Sequence, residues 1–291
     1  MPWRPLIVGV DASAAGIAAA HSGWELARAM ETSCILVHAA RDVAMAPRAA
    51  TGVDVGALSA DVLRLARREI EGALAHRGVP AELLSGLEVR LGKAGTVLGQ
   101  AAAAHGADLV VLGAKRHHLV ARWLGGSTAK SAVRALDVSV LVTTGPGRWS
   151  RIVAAVDLSE MALPTVHAAE RVAGLVGAKL RVLHAIEPFP YSIEGIPPVD
   201  VEALAREQEV TFRETIWSRV SYGTAEPVVR RGGAGQVIED EATEWKADLV
   251  VVGAHGRGPM ERFLLGSVSE GVVNALPTSV LVVRGAGPGA S

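Results

Sequence analysis

The chain repeats itself, and this repeat constrains the possible fold more than any other feature of the sequence. The segment LIVGVDAS, which contains Asp11, returns as IVAAVDLS, which contains Asp157, so the offset between the copies is 146 residues. The segment ADLVVLGA, which ends at Ala114, returns as ADLVVVGA, which ends at Ala254, at an offset of 140. Units this long are far longer than solenoid repeats, so the pattern indicates a duplicated domain.

The length of 291 residues accommodates two domains of this size. We place them at residues 1–147 and 148–291, since a turn-rich Gly-Pro-Gly segment lies between the copies. The two offsets differ by six residues, and the difference falls between His38 and about Arg90, in a loop or helix that tolerates a change in length.

Short runs rich in Val, Ile and Leu alternate with longer Ala-rich stretches within each copy. The runs are apolar throughout, which is typical of parallel strands buried on both faces. We therefore predict an α/β protein with two tandem doubly wound, Rossmann-like sandwiches, each with a five-stranded parallel sheet. In the first copy the predicted strands are 6–11, 34–40, 87–91, 108–113 and 139–143, and the predicted helices are about 14–31, 57–77, 95–105 and 127–136. Ligands of such sheets bind at the carboxyl ends of the strands, at the switch point.

Composition excludes several classes of protein. No stretch approaches the roughly 18 apolar residues of a membrane span, and no signal peptide is expected. Cys34 is the single cysteine, so an internal disulfide and a cysteine-based metal site are excluded, and we expect a cytoplasmic protein. Residues up to 148 carry a formal charge of +4 and the rest −5, so neither half is basic enough to predict nucleic-acid binding.

The most informative motif follows the predicted fourth strand of the second copy. It reads Gly253-x-x-Gly256, nine residues, then Gly266-Ser267. Glycines let backbone amides approach a ligand, and a helix that begins at Ser267 presents unpaired N–H groups to anionic oxygen. A di- or triphosphate fits between these two elements. The alternative is a capping box from Ser267 to Glu270, which needs no ligand.

This spacing resembles the ATP-binding signature of the universal stress protein family. The Asp-x-Ser after the first strand, the histidine near the end of the second strand and the closing SVLVV strand are also similar, and both copies show them. The resemblance implies a set of nucleotide contacts in the second copy, with a Mg²⁺ ion held by the phosphates rather than by protein ligands. They are Asp157 beside the nucleotide, the Ala185 backbone at the adenine, Val252 and Gly253 at the ribose, and His255, Gly256, Gly266, Ser267 and Val268 around the phosphates.

Asp157 and the histidine that precedes Ala185 have structural alternatives. Asp157 could instead help to cap a helix that begins at Ser159, and His184 is better interpreted as a packing or hydrogen-bonding residue than as a ligand. The segment GGAG that ends at Gly235 lacks the spacing of a dinucleotide fingerprint, so it predicts a tight turn from strand to helix.

The first copy departs from the signature, because Arg116 replaces the second glycine. Either this arginine is strained and fills the phosphate space, or it contacts the phosphates as a charge-assisted donor. We favour a weakened site, in which case Arg116→Gly should raise the nucleotide stoichiometry. The corresponding candidates are Asp11, Ala39, Gly113, Arg116, Gly126, Ser127 and Thr128.

No nucleophile or general base in a recognisable arrangement accompanies the motif, so we assign no catalytic residues. The resulting hypothesis is an ATP-binding universal stress protein that acts as a nucleotide-responsive regulator, with at most slow ATP turnover. The alternatives are an ATP-hydrolysing or phosphotransfer enzyme and a scaffold that does not bind nucleotide. The family further implies a pseudo-dimer of the two copies through strands 139–143 and 279–283, and a homodimer of tandem chains. A disordered tail is expected over 285–291.

Overall fold

The computed structural model describes residues 4–41, 55–114, 127–145, 148–187, 200–254, 266–275 and 278–285. The chain divides into two compact units, and the division between them lies next to Arg148. Each unit is an α/β sandwich, described separately below.

The first unit contains a parallel sheet in the strand order β3-β2-β1-β4-β5. The chain moves from β1 outward to β3 and then crosses to β4 on the other side of β1, which is doubly wound topology. Its strands are β1 (Leu6–Gly9), β2 (Cys34–Ala40), β3 (Glu88–Leu91), β4 (Leu109–Gly113) and β5 (Ser139–Thr143). Its helices are α1 (Ala14–Ala29), α2 (Val55–His76), α3 (Ala81–Ser85), α4 (Ala94–His105) and α5 (Ser127–Ala135).

The second unit repeats this plan in the strand order β8-β7-β6-β9-β10, again with parallel pairing throughout. Its strands are β6 (Arg151–Val156), β7 (Lys179–Ile186), β8 (Glu226–Arg231), β9 (Leu249–Gly253) and β10 (Ser279–Val283). Its helices are α6 (Ala162–Val176), α7 (Val201–Thr215), α8 (Ala234–Glu244) and α9 (Ser267–Ala275), and a 3₁₀ turn covers Trp217–Arg219.

The core of each unit is built from the central strands and the helix faces that cover them. Leu6, Ile7 and Val8 of β1 are fully buried, and so are Ile152, Val153 and Ala154 of β6. Continuous burial of neighbouring residues requires cover on both faces of the sheet, which explains why these strands are apolar throughout rather than alternating.

The predicted fold class is confirmed, and the ten predicted strands are present in the described part of the chain. The segment GGAG forms the predicted turn, because β8 ends at Arg231, Gly232 has φ of +146° and α8 begins at Ala234. The short helix α3 has no counterpart among the predicted elements. Its five residues are too few to show helical periodicity in the sequence.

The length difference between the two copies arises at the helix that follows the second strand. The helix after the second strand begins at Val55 in the first unit and at Val201 in the second, which is an offset of 146 residues. It ends at His76 and at Thr215, an offset of 139, because α2 has 22 residues and α7 has 15. The length change therefore falls on α2 and the connection that follows it.

The two units also differ where the first helix begins. In the first unit Ser13 is the N-cap of α1, and its side chain accepts a hydrogen bond from the backbone N–H of Gly16. In the second unit α6 begins at Ala162 and not at Ser159, so the expectation of a helix starting at Ser159 is wrong. The Ser159 side chain instead accepts a bond from the N–H of Met161, which forms a turn ahead of the helix.

Candidate functional site

Three neighbouring strands of the second unit end side by side at the switch point of the sheet. Strand β6 lies between β7 and β9, and Asp157 follows it directly. Ala185 is near the carboxyl end of β7, and Gly253 is the last residue of β9. Since neighbouring strands lie about 4.8 Å apart, the step from β7 to β9 covers about 10 Å. The switch point thus brings three of the predicted contact positions to one edge of the sheet.

Ala185 lies one residue beyond the paired part of β6. The last pair between the two strands is Val156 with His184. The Gly232 N–H donates to the Ile186 carbonyl at 3.0 Å, so that carbonyl faces β8. Because successive carbonyls of a strand point to opposite sides, the Ala185 carbonyl faces the side on which β6 has ended. It is therefore placed to accept a hydrogen bond from a ligand there.

His184 has the structural role that was predicted for it. Its side chain is 2% exposed and stacks on Phe212, with 5.4 Å between the ring centroids. Its Nδ1 lies 3.0 Å from the Val156 carbonyl, an acceptor, so Nδ1 carries the proton in this bond. The bond ties β7 to the residue that precedes Asp157.

Asp157 holds the turn that follows β6. Its Oδ1 accepts a hydrogen bond of 3.0 Å from the backbone N–H of Ser159, and the residue is half-buried. Because α6 starts only at Ala162, this carboxylate shapes the turn and does not cap the helix directly. The arrangement fixes the carboxylate at the strand end, between Ala185 and Gly253.

Helix α9 is anchored to the end of β9 by two hydrogen bonds. The Gly266 N–H donates to the Ala254 carbonyl at 2.7 Å, and the Ser269 hydroxyl donates to the Gly253 carbonyl at 2.5 Å. Ser269 is 6% exposed, so the second bond is sheltered from water. Both bonds hold the first turn of α9 at the same sheet edge as Asp157 and Ala185.

The first turn of α9 offers amide groups rather than a closed cap. The Glu270 N–H donates to the Gly266 carbonyl at 2.8 Å, which makes Gly266 the N-cap and Ser267 the first helical residue. A capping box needs Ser267 itself at the N-cap, so the helix starts one residue too early for that arrangement. Within the described residues, no oxygen accepts from the N–H groups of Ser267, Val268 or Ser269. Such amides form a site for anionic oxygen.

The equivalent aspartate of the first unit is engaged in a helix cap. Asp11 Oδ1 accepts hydrogen bonds from both the N–H and the hydroxyl of Ser13, at 3.0 and 2.5 Å. A Cβ placed on Gly16 would lie 2.2 Å from the same oxygen, so only glycine fits beneath it. Asp11 is therefore committed to the start of α1, unlike Asp157.

The end of β4 in the first unit is covered by helix α1. A Cβ placed on Gly113 would lie 1.8 Å from the Ala15 carbonyl oxygen. Since Gly113 is the predicted ribose position of this unit, the backbone of α1 occupies the space in front of it. Ala39 lies near the end of β2, as Ala185 does in β7, and Ser127 and Thr128 begin α5.

Several predicted site residues lie outside the described part of the chain. They are His255 and Gly256 in the second unit and Arg116 and Gly126 in the first. Val252 and Gly253 end β9, and Val268 lies in the first turn of α9, as the motif predicts. The part that these residues play in ligand binding stays a prediction.

The sequence analysis missed two residues at this edge. Ser269 has a signal in the sequence, because the residue at the same position of the first copy is Ala129. Glu187 follows β7 directly, and its Oε1 accepts a hydrogen bond of 3.2 Å from the Ala234 N–H, the first amide of α8. No local pattern predicts that bond, since it joins residues 47 positions apart.

The described residues contain no cluster of three or more His, Cys, Asp or Glu side chains that could hold a metal ion. No helix within the described ranges is both long and apolar enough to cross a membrane.

Comparisons with known proteins point to one family. The profile of the universal stress protein family matches the chain twice, over residues 2–144 and 148–284. The universal stress protein Rv2005c of Mycobacterium tuberculosis is 29% identical over 188 residues, and the alignment covers 61% of this chain and 62% of that protein. The chain thus spans somewhat less than two thirds of the length of this relative.

A second relative is covered almost completely. A universal stress protein of Thermus aquaticus is 33% identical over 138 residues, which are 47% of this chain and 99% of that protein. Among solved structures, a universal stress protein from Archaeoglobus fulgidus has a TM-score of 0.61 at 17% identity and covers 96% of this chain and 98% of its own. At that identity the likeness supports the fold alone. The chain belongs to the universal stress protein family and carries two of its domains in tandem.

Proposed function

We propose that the second unit binds an adenine nucleotide, ATP together with Mg²⁺, and that binding makes the protein a nucleotide-responsive regulator of the stress response. The observation that carries this proposal is the alignment of Ala185, Asp157 and the α9 amides along one sheet edge. Along this edge the Ala185 carbonyl is placed for the base, the Asp157 carboxylate for the ribose and the α9 amides for the phosphates.

Each part of the nucleotide has a group of suitable chemistry at this edge. The exocyclic amino group of adenine is a donor for the Ala185 carbonyl, which faces the side where β6 has ended. The Asp157 carboxylate accepts hydrogen bonds from hydroxyl groups, which suits a ribose. The first amides of α9, held by Ser269 on Gly253, suit phosphate oxygens. Mg²⁺ prefers phosphate oxygens and water, so the absence of a described carboxylate cluster is compatible with this arrangement.

We further propose that one chain binds one nucleotide. In the first unit the Asp11 carboxylate bonds Ser13, and the Ala15 carbonyl stands in front of Gly113. Helix α1 begins three residues after Asp11, whereas α6 begins five residues after Asp157. A ribose at this position would have to displace the first turn of α1.

Isothermal titration with MgATP tests the proposal, and the duplication supplies a matched control. We expect one nucleotide per chain. Asp157→Asn should weaken binding about tenfold, because a charge-assisted hydrogen bond becomes a neutral one. Asp11→Asn makes the same chemical change at the equivalent position of the first unit and should leave the affinity unchanged.

Two outcomes would contradict the proposal. Absence of any heat or thermal shift with MgATP would remove the nucleotide function altogether. Two equivalent sites, each lost with its own aspartate, would show that the first unit is open to nucleotide despite the position of α1.

A further inference from the structure

Two helix N-termini of the second unit lie at the sheet edge that carries the proposed site. Helices α8 and α9 pack against each other, and both begin at the carboxyl end of the sheet, after β8 and β9. Each N-terminus carries partial positive charge and free amides, so either could attract phosphate. A nucleotide could therefore bind with its phosphates at α8 or at α9, unless some group distinguishes the two helix N-termini.

Glu187 makes this distinction. Its carboxylate accepts a hydrogen bond from Ala234, the first residue of α8, whereas no described side chain caps the first amides of α9. A negative charge on α8 cancels the attraction of that N-terminus for phosphate. Arg231 lies opposite Ile186 in the pairing of β8 with β7. Its guanidinium donates hydrogen bonds to both carboxylate oxygens of Glu202, at 2.6 and 2.8 Å.

Glu187 also borders the proposed base position. It follows Ala185 by two residues, or about 6.6 Å along the chain. Among the described residues, a Cβ placed on Gly233 or Gly235 would meet no heavy atom within 4 Å, so none of them fills the space beside these two glycines at the start of α8. A carboxylate at the edge of this space accepts a hydrogen bond from an amino group and repels a carbonyl oxygen.

The first unit has the opposite charge at the equivalent positions. Arg41 follows β2 as Glu187 follows β7, and Lys93 is the N-cap of α4 where Gly233 is the N-cap of α8. Both basic residues are exposed. The start of α4 is therefore left attractive to anions, and the described residues place no carboxylate at the position of Glu187.

We infer that Glu187 sets the direction and the base preference of the nucleotide, by closing α8 to phosphate and by accepting a hydrogen bond from a 6-amino purine. This inference rests on the proposed nucleotide function of the second unit. Glu187 acts here as a specificity-determining residue, with the phosphates directed to α9 and the base to the β7 side.

Titration with ATP and ITP tests this role, since ITP has a 6-oxo group in place of the 6-amino group of ATP and, with it, a proton on N1. The unmodified protein should prefer ATP. Glu187→Gln keeps an oxygen that can accept from Ala234, so the fold should be retained, and the ATP-over-ITP preference should fall about fivefold. Glu187→Arg, which introduces the residue of the first unit, should lower the preference further.

Asp240→Asn is the matched control, because it removes one exposed carboxylate from helix α8, whose first amide bonds Glu187; there Asp240 accepts a hydrogen bond from Gln236. It should leave the preference unchanged. If the unmodified protein binds ATP but Glu187→Gln keeps the full preference, this inference is wrong and the nucleotide function stands. If the unmodified protein binds neither nucleotide, the proposed function fails and the role of Glu187 fails with it.

Discussion

Equivalent residues of the two copies have diverged through the partners that surround them. Asp11 and Asp157 follow the first strand of their units, and both hold the N–H of a serine two residues later. Asp11 also holds the Ser13 hydroxyl and lies over Gly16, whereas Asp157 precedes a turn that delays the helix. The sequence predicted both positions correctly. It could not predict their different engagement, because that depends on where the next helix starts.

The ion pairs of Glu88 allow a prediction at the residue scale. Partial burial opposes ionisation of this carboxyl, but hydrogen bonds from His105 at 2.7 Å and Arg90 at 2.5 Å outweigh it, so the pKa of Glu88 is lowered from 4.5. A lowered folded-state pKa stabilises the native protein above the unfolded-state pKa, and this contribution disappears as the pH falls through the folded-state value.

Glu88→Gln should therefore lower the stability of the first unit at pH 7 by up to about 1 kcal/mol. The difference from the unmodified protein should shrink as the pH drops below 4.5, the ordinary value for this carboxyl. Thermal unfolding at a series of pH values measures it. Glu69→Gln, on the exposed side of α2, is the control and should show no such trend. A loss that is constant from pH 7 to pH 3 would contradict the assignment to ionisation.

At the scale of the elements, the four helices predicted in the first copy begin and end within two residues of their predicted bounds, whereas the start expected at Ser159 in the second copy is wrong. Apolar periodicity locates α1 and α6 in the middle, but their starts depend on single hydrogen bonds at Ser13 and Ser159. In the first unit the first turn of α1 covers the end of the neighbouring strand β4 at Gly113. The first glycine of the motif could be recognised in both copies, as Gly113 and Gly253, yet the space in front of Gly113 depends on the position of helix α1.

Two glycine substitutions test how closely α1 covers β4. Gly113→Ala places a Cβ against the Ala15 carbonyl oxygen at 1.8 Å, so strand and helix must separate, and we expect a loss of about 3 kcal/mol. Gly72 lies on the exposed face of α2, where an added Cβ would meet no heavy atom of the described residues within 4 Å, so Gly72→Ala should stabilise by up to about 1 kcal/mol through helix propensity. Urea unfolding followed by circular dichroism compares them. Equal midpoints for the two variants would show that α1 does not lie over Gly113.

For the whole molecule, the sequence predicted the duplication and the doubly wound parallel sheets, both of which are confirmed, more fully than the differences between the units. Repeated apolar segments and glycines at fixed spacing are local signals, and they translate directly into buried parallel strands and a switch-point loop. The bond from Ala234 to Glu187 joins residues 47 positions apart and has no local signal. The sequence indicated a difference between the copies at Arg116, and the folded chain adds the different engagement of Asp11 and Asp157.

This asymmetry leads to a prediction for hydrogen exchange across the whole chain. A ligand that binds only the folded second unit should slow the exchange of amides in that unit, by an amount set by its affinity and concentration. Protection should be greatest at the first turn of α9, where the N–H groups of Ser267 and Val268 would bond phosphate, and at the end of β7.

The amides around Ala39 and Ser127 occupy the same places in the first unit and provide an internal reference within one experiment. Exchange measured with and without MgATP should leave them unchanged, since the Ala15 backbone stands in front of Gly113. Equal protection of both sets would mean that α1 moves aside for nucleotide, and the two units would then have to be regarded as equivalent sites.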